Sequence, residues 1–432
     1  MIIVKDLLNN VPYSQFAIVF CQLLAVLFAE IYFRCVRLRS VNVKCLFTIT
    51  ASHLMLAVLL FNNPLKMVSM MHIYAPVIVG YAWIVRLEWN PWPFTGLLFT
   101  HLAYAHWREM HKQYLVHNLD HTIVLMLQTI RLSSLAFDCL GKNYIDDSGG
   151  DVDKKKQFKP SLLEYLGFVF FFPGYLSGPA IFYKQWRALI HNTGNSSDHP
   201  HHTKRNRWAM KQLGKAGLFA VGHVVLKQHF THYNFPKNTF AKIIHLHFAN
   251  MGSRFMYYVA WMMAQAALVN FGFERQDCEI VKPWQIEFAS EPRQVLLNWN
   301  ISTDRWLHRY FYTPVRSRLG ATMSNVFVKM VSALWHGFYP GYYLMFASYG
   351  LVMAASRVIY KSFSWPLPQW TKPYILYLPV WLILDYITPP FVYLSWDVSI
   401  AFYRSMYWWG HVVCIIIVVF STLIGRERRK QE

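Results

Sequence analysis

Charge is scarce in this sequence, and negative charge scarcest. Only 15% of the 432 residues are charged, against about a quarter in an ordinary soluble domain. Acidic residues number 22 against 42 Lys and Arg, a formal charge of +20. No two of the six cysteines are close enough for a CxxC pair, which excludes a zinc ribbon or dithiol redox motif and argues against a disulfide framework. HExxH, the phosphate-binding P-loop and GxSxG are all missing. So is HxxxxD, a His–Asp pair used for acid–base catalysis. No period of 20 to 50 residues repeats, which removes solenoids and propellers. No cleavable signal peptide is evident at the N-terminus.

What fills the chain instead is apolar: 55% hydrophobic and 17% aromatic residues. The basic residues fall between apolar runs, so they read as cytosolic loops beside anionic lipid and not as a nucleic-acid surface. A membrane helix needs about 20 mostly apolar residues. Spans are expected at 13–33, 45–61, 64–85, 122–140, 214–230, 243–271, 342–360, 375–394 and 399–424. The short run 92–105 reads as re-entrant or interfacial, and 160–183 as a broken span. That makes about ten or eleven membrane segments in one all-α, polytopic helical bundle, a single domain over 1–432 with a basic cytosolic tail at 425–432. Arg34, Arg37, Arg39 and Lys44 should face the cytosol. Lys430, third from the end, resembles an endoplasmic-reticulum retrieval signal.

Two segments break the rules for lipid-facing helices. Residues 122–140 carry Gln128, Arg131 and Asp138; a charge at the bilayer centre costs about 2.5–3.5 kcal/mol, so these should face protein. Residues 160–183 contain Pro173-Gly174 and Gly178-Pro179, and broken helix at membrane depth is tolerated only where protein or a cavity surrounds it. The loop 141–159 is polar, and Asn195-Ser196-Ser197 is a glycosylation sequon usable only on the lumenal side. His111, His117 and His121 have no clear fourth ligand and read as a polar surface loop, with no metal site. His199, His201 and His202 read as solvated.

The chemistry concentrates in 298–346, NWNISTDRWLHRYFYTPVRSRLGATMSNVFVKMVSALWHGFYPGYYLMF. Its first half holds Asp304, Arg305, Arg309, Arg316 and Arg318 interleaved with aromatics. Such a cationic face suits a phosphate-bearing ligand, because guanidinium grips phosphate in a bidentate way. Its second half is apolar around one imidazole, His336, which can accept a proton near neutral pH. Gly337 beside it leaves room for a substrate. Taken alone, His336 would more often be a structural histidine, Asn300 a turn or cap residue, and the arginines a headgroup-binding face.

Together these residues resemble the signature of the membrane-bound O-acyltransferase family, nearest its lysophospholipid branch. Trp299-Asn300, Thr303, Trp306-Leu307 and Tyr312 match WNxxTxxWL and its sequel. Ser332 to Gly337 with Pro340-Gly341-Tyr342-Tyr343 match SAxWHGxxPGYY. Pro160 to Pro179, Asp120 to Asp138, Pro389-Pro390-Phe391 and Tyr403 to His411 extend the likeness over most of 100–412. The FYxDWWN motif of the sterol and diacylglycerol branch is missing, against a neutral-lipid acceptor.

The resemblance implies a helical bundle around an internal tunnel, reached by acyl-CoA from the cytosol and by a lysophospholipid from the bilayer. It implies no cofactor beyond acyl-CoA as co-substrate. His336 would act as general base, and Asn300 would orient a substrate or polarise the thioester carbonyl. Trp299, Thr303, Trp306 and Trp335 are candidate substrate contacts. Arg305, Arg309, Arg316, Lys184 and Arg187 are candidates for the CoA phosphates. Competing expectations are a protein or peptide O-acyltransferase of the same family and a non-catalytic lipid transporter built on the same kind of broken segment.

Overall fold

The computed structural model describes residues 13–61, 63, 66–112, 114–115, 121–140, 159–192, 199–233, 235–362 and 371–431. The polar loop 141–158, the sequon, His117 and the side chains of His199, His201, His202 and the basic tail lie outside that description. Among the described residues all regular structure is helical.

In chain order the helices are α1 (Tyr13–Ile31), α2 (Val41–Leu59), α3 (Lys66–Tyr81), α4 (Pro91–Lys112), α5 (His121–Leu140), α6 (Leu162–Val169) and α7 (Tyr183–His191). Then follow α8 (His199–His229), α9 (Thr239–Phe271), α10 (Arg275–Cys278), α11 (Pro283–Glu287), α12 (Pro292–Asn298) and α13 (Ile301–Leu307). The chain ends with α14 (Thr313–His336), α15 (Pro340–Ser362), α16 (Lys372–Ile387), α17 (Pro389–Tyr393), α18 (Trp396–Ser405) and α19 (Trp409–Gln431). A wide π-turn at His308–Tyr312 links α13 to α14.

Six helices among the described residues are long and apolar enough to cross a membrane: Phe16–Val36, Val41–Leu59, Lys66–Leu87, His121–Leu140, Pro340–Tyr360 and Leu376–Tyr393. A seventh is formed if α18 and the start of α19, bent by 78°, count as one. The sequence count of ten or eleven differs for a physical reason. The runs 214–230 and 243–271 lie inside helices of 31 and 33 residues. α8 and α9 pack along one another, and α9 holds its polar groups (Asn250, Gln265, Asn270) inside the protein. The expected re-entrant run 92–105 is also different: it belongs to a continuous helix of 22 residues.

The broken segment sits at the heart of the N-terminal half. Ser161 caps α6 in a reciprocal pair with Glu164, and the helix stops at Val169. From Phe170 to Phe182 the backbone is irregular yet almost wholly buried. Buried carbonyls without partners are costly, and Arg131 of α5 supplies donors. Its guanidinium, 2% exposed, donates to Val169 O at 3.0 Å and Pro173 O at 3.5 Å. It also lies over the rings of Phe171 and Tyr175. Among the described residues it has no carboxylate partner. Gly174 and Gly178 let the turn close on itself, for a Cβ on Gly178 would fall 1.9 Å from Gly174 Cα.

Lys44 corrects an expectation. Far from facing the cytosol, it is fully buried, and its ammonium donates to Ile190 O and Asn192 O at 2.8 and 3.0 Å. It satisfies the open carbonyls at the end of α7, where a cation also complements the helix dipole. Part of the basic excess is therefore internal.

Two apolar cores result. One gathers α1–α7 with Trp306, Tyr310, Phe311 and Trp335. The other gathers α9 and α15–α19, with Trp299 packed against it. The second is pinned by a buried charged network. Arg254 makes a two-pronged pair with Glu287 at 2.9 and 2.8 Å, and Tyr258 donates to the same carboxylate at 2.7 Å. Asp385 accepts from Asn250 and meets His247 at 2.6 Å. Stretch 298–346 is the seam between the cores.

Replacing Arg131 with Met should leave two buried carbonyls without donors, a cost of about 1–3 kcal/mol each. Detergent-purified Arg131→Met is expected to melt well below wild type by intrinsic fluorescence, with Arg131→Lys between them. Equal melting of Met variant and wild type would show that Arg131 does not hold the break.

Candidate active site

The seam is built from its aromatic residues outward. Trp306 is fully buried; its indole N–H donates to Ser133 Oγ at 3.1 Å, and its ring stacks near Phe99 and meets Phe311 and Trp335. Trp335 is buried too and donates to Met126 O at 3.0 Å. Tyr310 donates to Asp138 Oδ1 at 2.8 Å. Both α13 and the end of α14 are thus fastened to α5. The anchor points Met126 and Asp138 are 12 residues apart, about 18 Å along the helix axis.

His336, the last residue of α14, is enclosed by the rings of Trp335, Tyr342, Phe346 and Phe391, at centroid distances of 4.9 to 5.8 Å. Within this ring of aromatics its side chain keeps a partly exposed surface. Gly337 then turns the chain with φ 121° and ψ −166°, a conformation essentially reserved for glycine. A Cβ there would sit 3.3 Å from the ring of His106. His106 of α4 also places Nε2 3.2 Å from Trp335 O, so a second imidazole neighbours the first. Gly341 ties the following turn to α17, its N–H donating to Leu394 O at 2.9 Å.

Asn300 adopts the left-handed conformation, φ 46° and ψ 47°, just before α13. Its carbonyl accepts the first helix N–H groups, from Thr303 and Asp304 at 3.0 and 3.1 Å, while its side chain takes no part in capping. Capping is the usual use of Asn at a helix start, so the carboxamide is left for another role. Asn300 and His336 do not touch. Trp299 packs on Tyr257, whose neighbour in the interior is Tyr342, the residue beside His336.

The other candidates divide by location. Trp299, at the edge of the second core, packs on Tyr257, Tyr258 and Trp261. Trp306 and Trp335 are packing and anchoring residues, buried and with their indole N–H groups already used. Thr303 is buried in the first turn of α13.

Lys184, Arg305 and Arg309 gather at the far end of α5. Arg309 lies 3.6 Å from Asp138 and over Phe182. Lys184 is exposed and acts on the same carboxylate. Arg305, also exposed, faces Asp277, to which Gln185 donates at 3.2 Å. Burial and the neighbouring Glu274 push the Asp277 carboxyl up, and Arg305 opposes them. Arg187 is turned toward Glu164 at 3.9 Å, away from this group. Arg316 is exposed a turn further on, over Tyr312. The imidazole therefore lies inside, about 18 Å from a cationic mouth.

Sequence reasoning missed His106, which stands in a polar run with no motif around it. His121, expected in a surface loop, is buried and meets the Arg108 guanidinium at 3.2 Å. Among the described residues no group of His, Cys, Asp or Glu is arranged to hold a metal ion.

A polytopic helical bundle that holds an imidazole among aromatic rings, an Asn side chain free of capping at the start of α13 and a group of cations at one end of α5 is compatible with an intramembrane transferase. Residues 73–395 match the membrane-bound O-acyltransferase family, and the chain belongs to that family. It is 29% identical over 352 residues to the Rattus norvegicus membrane-bound glycerophospholipid O-acyltransferase 2, covering 73% of this chain and 67% of that protein. It is 29% identical over 354 residues to Drosophila melanogaster lysophospholipid acyltransferase 6, covering 72% and 48%. Against the Saccharomyces cerevisiae lysophospholipid acyltransferase it is 26% identical over 382 residues, covering 76% and 60%. The alignments thus span about two thirds of the rat protein and about half of the fly protein.

Gly337→Ala should force either the φ or the His106 ring to move. The variant is expected to lose about tenfold or more in kcat, from about 1–3 kcal/mol of strain, with its melting temperature within a few degrees of wild type. Unchanged kcat would show that the turn after His336 tolerates a side chain.

Proposed function

We propose that the protein is a lysophospholipid acyltransferase of the endoplasmic-reticulum membrane, moving a fatty acyl group from acyl-CoA to the free hydroxyl of a lysophospholipid. The observation that carries this reading is His336: a partly exposed imidazole ringed by Trp335, Tyr342, Phe346 and Phe391, on the same stretch of chain as Arg305 and Arg309. Its open side leaves a ring nitrogen available to a substrate. The names of the rat, fly and yeast relatives support a phospholipid acceptor.

The steps follow from the positions. The acyl-CoA phosphates rest at Lys184 and Arg305, beside Arg309, and the thioester reaches inward. The acceptor hydroxyl enters from the bilayer side and gives its proton to a ring nitrogen of His336. Its oxygen attacks the thioester carbonyl carbon while the Asn300 amide N–H faces the developing oxyanion. The tetrahedral adduct collapses, the C–S bond breaks, and the sulfur leaves as thiolate. The imidazolium returns the proton to that thiolate, giving free CoA and a diacyl phospholipid. The aromatic rings around His336 keep bulk water out, so acyl transfer outruns hydrolysis.

The test is direct. Detergent-purified protein is given mixed acyl-CoAs and a panel of lysophospholipids, and products are read by mass spectrometry. Wild type should make diacyl phospholipid; His336→Ala should be slower by about two to four orders of magnitude. Product from both at similar rates would remove the general-base role. No product with any lysolipid, but acylation of a polypeptide, would move the acceptor to another class.

A further inference from the structure

The mechanism above leaves one internal cation unused. Lys329 is in α14, seven residues before His336. Seven residues are close to two full turns, so the two side chains share one face of the helix. The structure bears this out against α15. His336 faces Tyr342 and Phe346, and Lys329 points at Gly350, one turn further along α15, where a side-chain Cβ would lie 4.0 Å from Lys329 Cε. Lys329 is half-buried in the interior. The charges that act on it are Arg357 of α15 and Asp304 of α13, and no carboxylate lies within ion-pair distance among the described residues. An ammonium drawn into a membrane protein without a close counter-ion marks a ligand path.

We propose that Lys329 grips the phosphate next to the pantetheine arm of the acyl-CoA donor, fixing how deep the thioester reaches; this rests on the acyl-CoA reading of the site above. Three observations select this ligand. Lys329 lies about 10.5 Å outward from His336 along α14. Side chains on a helix lean toward its N-terminus, so the ammonium reaches further outward, toward the end where Lys184, Arg305 and Arg309 collect. From thioester sulfur to the nearest phosphorus, CoA has about thirteen bonds, or about 15 Å when extended by the reach of ordinary chain bonds. A phosphate held at Lys329 therefore leaves the thioester at His336. Asp304 and Arg357 flank the ammonium with opposite charges and keep the ion soluble in the empty state.

Binding separates this role from catalysis. The full-length protein in detergent is titrated with CoA, with 4′-phosphopantetheine and with pantetheine. Lys329→Met should weaken CoA and 4′-phosphopantetheine by about tenfold, the scale of one charge-assisted hydrogen bond, and leave pantetheine unchanged. Lys329→Arg should restore much of the loss. In turnover the Met variant should raise KM for acyl-CoA and leave KM for the lysolipid as it was. Unchanged CoA affinity in a folded Lys329→Met protein overturns the proposal, and so does a rise confined to KM for the lysolipid, which would place the acceptor phosphate there. Wild-type turnover, read separately, decides the acyltransferase reading: protein that binds CoA through Lys329 but transfers nothing sinks that reading alone.

Discussion

The architecture depends on a single buried cation meeting a broken backbone. The end of α6 and the irregular stretch after it carry carbonyls that neither a helix nor lipid can satisfy, and Arg131 reaches from α5 to take two of them, Val169 O and Pro173 O. A guanidinium inside a membrane protein is expensive, and free carbonyls there are expensive too; each removes the other's cost. Once that contact is made, α5 cannot shift along its axis. Because Met126, Ser133 and Asp138 of that same helix hold Trp335, Trp306 and Tyr310, the position of the reactive imidazole is inherited from the break. Lys44 repeats the device at the end of α7.

The second core uses a different means to the same end. Arg254, Glu287, Asp385 and His247 bring α9, α11 and α16 to one point through charged pairs. A network of this kind is rigid because each member would be costly if left alone. α9 runs through both cores, Leu246 to Ala264 in one and Ala267 to Phe271 in the other, and the stretch that carries Asn300 and His336 passes between them.

Much of this was legible in the sequence, and the failures have physical causes. The WN and WHG motifs identified the family and the imidazole, and Gln128 and Arg131 turned inward as their polarity required. Pro173-Gly174 and Gly178-Pro179 marked the break. The sequence expected more spans than the six described helices that are apolar over their length, because the apolar runs 214–230 and 243–271 sit inside longer helices whose polar residues lower the average. Lys44 was misplaced because a lysine after an apolar run looks the same whether it faces cytosol or caps a helix from another part of the chain. The anchoring of Trp306 and Trp335 to α5 had no signal in the motif, because their partners Ser133 and Met126 lie more than 170 residues away. His106 had no local pattern at all; it joins His336 only through a contact across more than 200 residues.

The turn after His336 carries one more implication, for synthesis of the chain. Gly341 is bonded to Leu394 and abuts Pro390 so closely that a Cβ would fall 2.0 Å from its carbonyl oxygen. Asn300 and His336 have both been synthesised by position 346, yet the turn beside them has no support until α17 follows. The nascent chain passes through an interval in which it holds the motif residues but not their arrangement. The site takes shape only once residues 389–394 have been made and packed.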